Sequence, residues 1–259
     1  MAEGVLILAL LAGCDDALAL SIRDHGCARA RVPSQGYPVG RIVVQPASGT
    51  RDINLFAAFS PLVEPECGRP VDLNLWYLVF DAQEVGLDWR LPDGAAIELG
   101  GDQSLWLQSA GPVEVRLERA KSVRTRVSAL WAGRRDFSIP PGSQEFVVEG
   151  TCTLDQDLDL IAILGDVRSH ARLFTVNRYD GLTIEEIYRL EGGARPTLAI
   201  LDPPIRVPAH GGLQYLCHYD NPSAQPISFG PDPVRNEHCN LFVHYLGSGV
   251  ECLEQTGGW

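Results

Sequence analysis

Short apolar or alternating segments, separated by turn residues, make up most of the chain. The turn clusters include PASG, LPDG, PPG and DPP, whose Gly and Pro residues end strands. Only the segment Leu182–Leu190 fits a short helix, and it fits a strand equally well. The pattern predicts an all-β protein of the sandwich or jelly-roll type. The predicted strands include Gly40–Val44, Leu73–Phe80, Ser104–Gln108, Val113–Leu117, Phe146–Glu149 and Leu158–Leu164.

The length of 259 residues suits two domains of ordinary size. Pro140, Pro141 and Gly142 form a break, and a new series of strands begins after Gly150. We therefore expect two tandem jelly-roll or β-sandwich domains, at residues 15–147 and 148–259, after an N-terminal segment at residues 1–14.

The net charge of −12 predicts a soluble protein with an acidic surface. Nucleic acid is excluded as a predicted partner, because binding to phosphates needs a basic face.

The N-terminal segment contains an apolar run, Gly4–Leu11, that is too short to span a bilayer. It leads into Leu11-Ala12-Gly13-Cys14, the order of a bacterial lipoprotein processing site. This indicates a signal peptide and a lipidated Cys14 that anchors the protein to a bacterial membrane, in the periplasm or on the outer membrane. The alternative is a cytoplasmic protein with an apolar N-terminus, which Glu3 and the lack of Lys or Arg before the run favour.

Seven cysteines occur in the sequence, and lipidation of Cys14 would leave six. An even number in an exported protein predicts three disulfides, for which fifteen connectivities exist. No pair has the C-x-x-C spacing of a zinc or redox motif.

The most specific stretch is GGLQYLCHYDNPSAQPISFGPDPVRNEHCNLFVHYL, which ends at Leu246. It contains Cys217 followed by Tyr219-Asp220-Asn221, then Phe229-Gly230, then Glu237-His238-Cys239. This order resembles the C-terminal domain of the copper type II, ascorbate-dependent monooxygenases. In that family the phrase is Glu-Met-Cys and its Met binds copper, so the resemblance places His238 at a copper-ligand position.

The resemblance also implies a disulfide pattern. The family bonds the two cysteines of this stretch, which implies Cys217 with Cys239, and joins the start of the domain to its end, which implies Cys152 with Cys252. Cys27 and Cys67 then remain as a pair. The Cys217–Cys239 bridge would stabilise by roughly 3 kcal/mol in the chain-entropy model.

The family's other copper ligands are only partly matched here. Its His-x-His pair corresponds to Arg168-Ser169-His170 in the stretch LGDVRSHARL. Its first copper site corresponds to INLFAAF (residues 53–59) and LQSA (residues 107–110), and no histidine occurs between Cys27 and Cys152. Because these side chains cannot hold copper, the resemblance implies that two-copper hydroxylation is lost.

His170 and His238 are accordingly the candidate metal ligands, and copper is the candidate cofactor. We expect the two imidazoles to approach each other and Arg168 to turn away, toward solvent or an acidic partner such as Asp166. The alternative is that both histidines are packed, hydrogen-bonded remnants of a lost site. His218 and His244 are possible additional ligands.

A weaker cluster alternates along the chain as Asp155, Asp157 and Asp159. On a strand these carboxylates would share one face and could attract Ca²⁺, although the Gly and closing Glu of a calcium loop are missing. A solvated strand face is the alternative.

Three functions follow from these patterns. The first is an envelope lipoprotein on the monooxygenase scaffold that is non-catalytic or binds a single copper. The second is a copper-dependent monooxygenase, an oxidoreductase with a rebuilt site and an external electron donor. The third is a structural or protein-binding envelope component.

Overall fold

The chain is described here by a computed structural model that covers residues 17–50, 52–67, 71–72, 75–82, 86–192, 198–230 and 235–255. Over these residues the fold is all-β, as predicted, and no helix is present. No helix in this part of the chain is therefore long and apolar enough to cross a membrane. Cys14 and the processing motif lie outside the described residues.

The chain divides into two compact units, Met1–Val127 and Ser128–Trp259. The division lies within the strand β10 (Thr125–Arg134), earlier in the chain than the expected boundary at 147/148. The Pro140–Gly142 break is a turn inside unit 2. There the buried amide of Asn221 donates to the carbonyls of Ile139 and Pro140 at 3.1 Å each. Pro and Gly therefore mark a turn here and not the end of a domain.

Unit 1 packs two sheets in a sandwich-like arrangement. One sheet has the order β1-β9-β3-β7, with β6 beside β3, and the other has the order β2-β8-β4-β5. The strands are β1 (Ala17–Ile22), β2 (Gly26–Arg31), β3 (Tyr37–Pro46), β4 (Ile53–Ala58), β5 (Trp76–Ala82), β6 (Leu87–Arg90), β7 (Ala95–Leu99), β8 (Ser104–Ser109) and β9 (Val113–Arg119).

Unit 2 is also sandwich-like. Its sheets are β20-β13-β16, with β10 beside β20, and β15-β14-β17-β12-β21, while β11, β18 and β19 form a small third sheet. The strands are β11 (Ser138–Ile139), β12 (Phe146–Leu154), β13 (Leu158–Asp166), β14 (Ala171–Tyr179), β15 (Ile184–Glu191), β16 (Ala199–Val207), β17 (Gly212–Tyr219), β18 (Ile227–Phe229), β19 (Asn236–Glu237), β20 (Cys239–Leu246) and β21 (Cys252–Gln255).

Side-chain patterning explains these strands. In β9 the apolar positions Val113, Val115 and Leu117 are buried while Glu114 and Arg116 face out, the alternation of a strand with one solvated face. In contrast, β13 is buried along almost its whole length, because it lies between β20 and β16. The ambiguous segment 182–190 forms β15, so the strand alternative is the correct one. The jelly-roll connectivity remains a prediction.

All three expected disulfides are present. The Cα atoms are 5.8 Å apart for Cys27–Cys67, 5.0 Å for Cys152–Cys252 and 5.9 Å for Cys217–Cys239, within the usual range for bonded cysteines. The last bridge joins β17 of one sheet of unit 2 to β20 of the other. It therefore fixes the start of β20, directly after His238.

Candidate functional site

Four strands meet at the place where unit 2 holds the two candidate histidines. The strand β13 ends at Asp166, and the chain turns through residues 167–170 before β14. The short strand β19 pairs with β18 in parallel and ends at Glu237. His238 lies between β19 and β20. Extended backbone directs neighbouring side chains to opposite sides, so Glu237 and His238 reach different partners.

Glu237 organises the turn before β14. Its side chain is fully buried, and its carboxylate accepts hydrogen bonds from the backbone N–H of Arg168 (2.9 Å) and of His170 (2.7 Å). The same carboxylate lies 3.0 Å from Nδ1 of His170. Three partners satisfy a carboxylate that burial would otherwise destabilise strongly. Glu237 is therefore the acceptor that holds the turn in place.

His238 is held by a second carboxylate. Its Nδ1 lies 3.0 Å from Oδ2 of Asp166, and its Nε2 lies 3.1 Å from the carbonyl oxygen of Gly230. Both partners are acceptors, so both ring nitrogens face oxygen atoms that compete with a metal ion for them. A metal ligand must offer a lone pair, so a metal ion would have to displace one of these two acceptors.

The surroundings of His238 fix its position further. Its ring stacks on Phe229, with centroids 5.0 Å apart, and the Tyr219 hydroxyl donates to its backbone carbonyl. Burial raises the pKa of Tyr219 well above its usual value near 10, so this phenol stays protonated and remains a donor. The His238 side chain is therefore packed against an aromatic ring and held by several polar contacts.

Asp166 also accepts from the Asn240 side chain, at 2.7 Å. Burial alone would raise the pKa of Asp166, but the His238 ring, the Asn240 amide and the charge of Arg168 outweigh it and lower that pKa. The carboxylate is thus ionised at neutral pH and remains an acceptor for its neighbours. We call Asp166, Glu237 and the groups that donate to them the carboxylate network.

Arg168 donates to the backbone, and its charge also acts on the expected carboxylate, Asp166. Its guanidinium donates to the carbonyl of Gly230 at 2.9 Å, the same oxygen that His238 contacts. A Cβ at position 230 would lie 2.3 Å from the side-chain oxygen of Asn236, so that side chain would have to move. A cationic side chain therefore shares an acceptor with the ring that the resemblance made a copper ligand.

The structure pairs each candidate histidine with its own carboxylate. Within the described residues, no group of three His, Cys, Asp or Glu side chains is arranged to hold a metal ion. Both rings place Nδ1 on a carboxylate, which is the usual orientation of a metal ligand. In His170, unlike His238, Nε2 has no hydrogen-bond partner in the described part of the chain. As arranged, the two rings do not fit copper, because His238 has both nitrogens engaged.

A cleft of about 640 Å³ adjoins His170. His218 also lines it, and its exposure beside the buried Cys217 agrees with the alternation of β17. The charges in the cleft are mixed, since Arg172 lies 3.3 Å from Asp220 and 3.7 Å from Glu145. The other candidate ligand, His244, is buried on β20.

The positions matched to the first copper site are apolar. Strands β4 and β8 bring the two stretches together, with Asn54 opposite Gln108 and Leu55 opposite Leu107. Both leucines are fully buried. The two sequence segments are thus neighbours in space, and an apolar core occupies the place between them.

The acidic cluster is a set of ion pairs. Asp157 and Asp159 both contact Arg206, the latter at 2.9 Å, and Asp155 accepts from the backbone N–H of Glu251 at 3.1 Å. Asp155 and Asp157 precede β13, so the expectation of three carboxylates on one strand face is wrong. A turn between β12 and β13 interrupts the alternation.

Comparison with known proteins assigns the chain to no family. No protein-family model matches the chain, and no curated protein matches it. The solved structures similar to it include a putative secreted protein from Eubacterium rectale (7% identity, 86% of this chain and 70% of that chain, TM-score 0.25). They also include a protein of the T13 particle of infectious bursal disease virus (10% identity, 91% and 71%, TM-score 0.27) and vicilin from tomato (8% identity, 94% and 79%, TM-score 0.23). Similarities this low carry no argument about function.

Proposed function

We propose that this chain is a non-catalytic envelope lipoprotein, built on a scaffold like that of the copper type II monooxygenases, with a protein-only carboxylate network at the second copper position. The observation that carries the proposal is His238, whose two ring nitrogens both face acceptor oxygens. A ligand must offer a lone pair, so copper binding here would require one His238 nitrogen to leave its acceptor, either Asp166 or the carbonyl of Gly230.

The side chains at the positions matched to the first copper site support the same conclusion. Leu55 and Leu107 offer no donor atom to a metal ion, and electron transfer from a reductant would have no copper to reach in unit 1. A two-copper hydroxylation is therefore not proposed.

Location in the envelope rests on two further observations. Three disulfides connect all six cysteines after Cys14, and structural disulfides persist in oxidising compartments such as the bacterial periplasm. The sequence Leu11-Ala12-Gly13-Cys14 matches a lipoprotein processing site. We infer that lipid on Cys14 anchors the protein to a bacterial membrane.

The metal content of the purified protein tests the absence of copper chemistry. The full chain is incubated with Cu(II), or with Cu(I) in the presence of a reductant, and then desalted. Its copper content per chain is measured by inductively coupled plasma mass spectrometry. We expect much less than one copper per chain, with no change in His238→Ala or His170→Ala. The control is His25→Ala, in an exposed turn of unit 1.

One result would replace this proposal with the single-copper alternative. It is stoichiometric copper in the native chain that is lost in His170→Ala or His238→Ala and kept in His25→Ala. His170 favours that alternative by its orientation, and His218→Ala would then show whether the second imidazole of the cleft takes part.

A further inference from the structure

The described part of the chain begins at one end of unit 1. Strand β1 runs from Ala17 to the turn at residues 23–25, and β2 returns in the other sheet to Arg31. The two strands contact each other, so Ala17 and Arg31 lie at the same end. We call it the entry end.

The end of β4 also lies there. On β8, Ser104 pairs with Arg31 of β2, and the next residue, Leu105, pairs with Ala57 of β4. The residues that follow Ala58 therefore leave the sheet at the entry end.

These residues expose large apolar side chains. Phe59 is 59% exposed, Leu62 90% and Leu75 44%. The Phe59 N–H donates to the carbonyl of Leu75 at 2.9 Å, and the Phe59 ring lies 5.2 Å from that of Tyr77. We call Phe59, Leu62 and Leu75 the apolar tip. A cluster of exposed apolar side chains marks a contact surface.

The loop of the apolar tip is held outward by polar contacts. The Arg31 guanidinium donates to the carbonyls of Pro61 (3.3 Å) and Asp102 (3.0 Å) and pairs with Glu64. The Leu62 N–H donates to the Ser60 hydroxyl at 3.3 Å, and the Cys27–Cys67 disulfide ties the end of the loop to β2. The fold therefore presents Leu62 to the outside.

We propose that the apolar tip inserts into the interfacial region of the membrane that carries the lipid on Cys14. The inference rests on the lipid anchor of the proposed function. Two residues lie between Cys14 and Ala17, and an extended chain spans at most about 11 Å between the Cα atoms of these two positions. The anchor therefore brings the entry end to the membrane surface, where exposed Phe and Leu side chains gain an apolar environment.

A tryptophan placed in the tip provides the test. The full chain is produced in a bacterial host that processes lipoproteins, and lipidation of Cys14 is measured by mass spectrometry. Leu62→Trp is reconstituted in phosphatidylethanolamine and phosphatidylglycerol vesicles that contain lipids brominated near the headgroup. The matched control is His25→Trp, in the exposed turn at the opposite end of unit 1, and circular dichroism checks that both variants fold.

We expect the emission of the added tryptophan, taken as the difference from the wild-type chain, to be blue-shifted and quenched in Leu62→Trp and unchanged in His25→Trp. A lipidated chain in which neither probe, or both probes equally, are quenched overturns the tip contact and leaves the anchor. Unmodified Cys14 overturns the anchor, and the tip contact with it. A blue shift in native membranes without quenching in vesicles identifies a protein partner and overturns the lipid contact.

Discussion

The β4–β8 pair of unit 1 and the β13–β19–β20 corner of unit 2 occupy the positions matched to two copper sites, and they differ in chemistry. In unit 1, Leu55 and Leu107 are packed in a dry core. In unit 2, the carboxylates of Asp166 and Glu237 each contact a histidine ring. An apolar core stabilises through buried area, whereas a buried carboxylate is stable only while its donors are present. The two regions are thus stabilised by different interactions.

The largest effect should come from removing the buried acceptor. Glu237→Ala leaves two backbone N–H groups and the His170 ring without their acceptor, and each buried donor left unsatisfied costs about 1–3 kcal/mol of unfolding free energy. Urea denaturation followed by circular dichroism measures it. Glu237→Gln, which keeps the volume and one acceptor oxygen, is the control and should cost less. If both variants lost under about 1 kcal/mol, a typical value for one hydrogen bond, the network would not hold the corner.

A somewhat smaller effect is expected in unit 1. Leu55→Ala removes a fully buried side chain and leaves a cavity, which costs about 3 kcal/mol. The same urea titration compares it with Leu62→Ala, whose side chain is exposed and should change stability by less than about 0.5 kcal/mol. The loss at Leu55 should not depend on pH between 3 and 7, because no titrating group is removed. A pH-dependent loss would contradict the apolar description of this position.

The smallest effect is a pH dependence from Asp166. Its pKa in the folded chain is lowered from 3.8, so its contribution is fully present above the unfolded pKa and is lost as the pH falls through the lower, folded value. We expect urea midpoints of the wild-type chain to fall between pH 5 and pH 3. Asp166→Asn should be less stable at pH 7 and show a smaller fall. An identical fall in the variant would place the acid sensitivity elsewhere.

The strand pattern was accessible from the sequence because alternation reports directly on burial. It succeeded for β9 and left 182–190 ambiguous, because Ile184, Ile187 and Leu190 suit a helical spacing as well as an edge strand. The expected domain boundary lies later in the chain than the observed division, because Pro140–Gly142 has the composition of a linker. Only the tertiary contacts of Asn221 show it to be a turn.

The candidate site was predicted less well than the fold. The disulfides came from the resemblance, and spacing alone left fifteen pairings open. Glu237 was missed because an acidic residue in a two-residue strand is normally exposed. Its signal was indirect, since a turn such as Arg168-Ser169-His170 needs an acceptor for its backbone N–H groups. The engagement of both His238 nitrogens depends on Gly230, which no sequence period connects to it.

The Cys152–Cys252 bridge, which spans 100 residues, has a mechanical consequence. When the two ends of the chain are pulled apart, the force passes through the covalent bond between these two cysteines. The strands between the cysteines therefore carry no tension. Only the parts of the chain outside the loop closed by Cys152 and Cys252 would extend under load. In a single-molecule extension experiment, reduction of this bridge should therefore release a hidden length of up to about 3.3–3.6 Å for each enclosed residue.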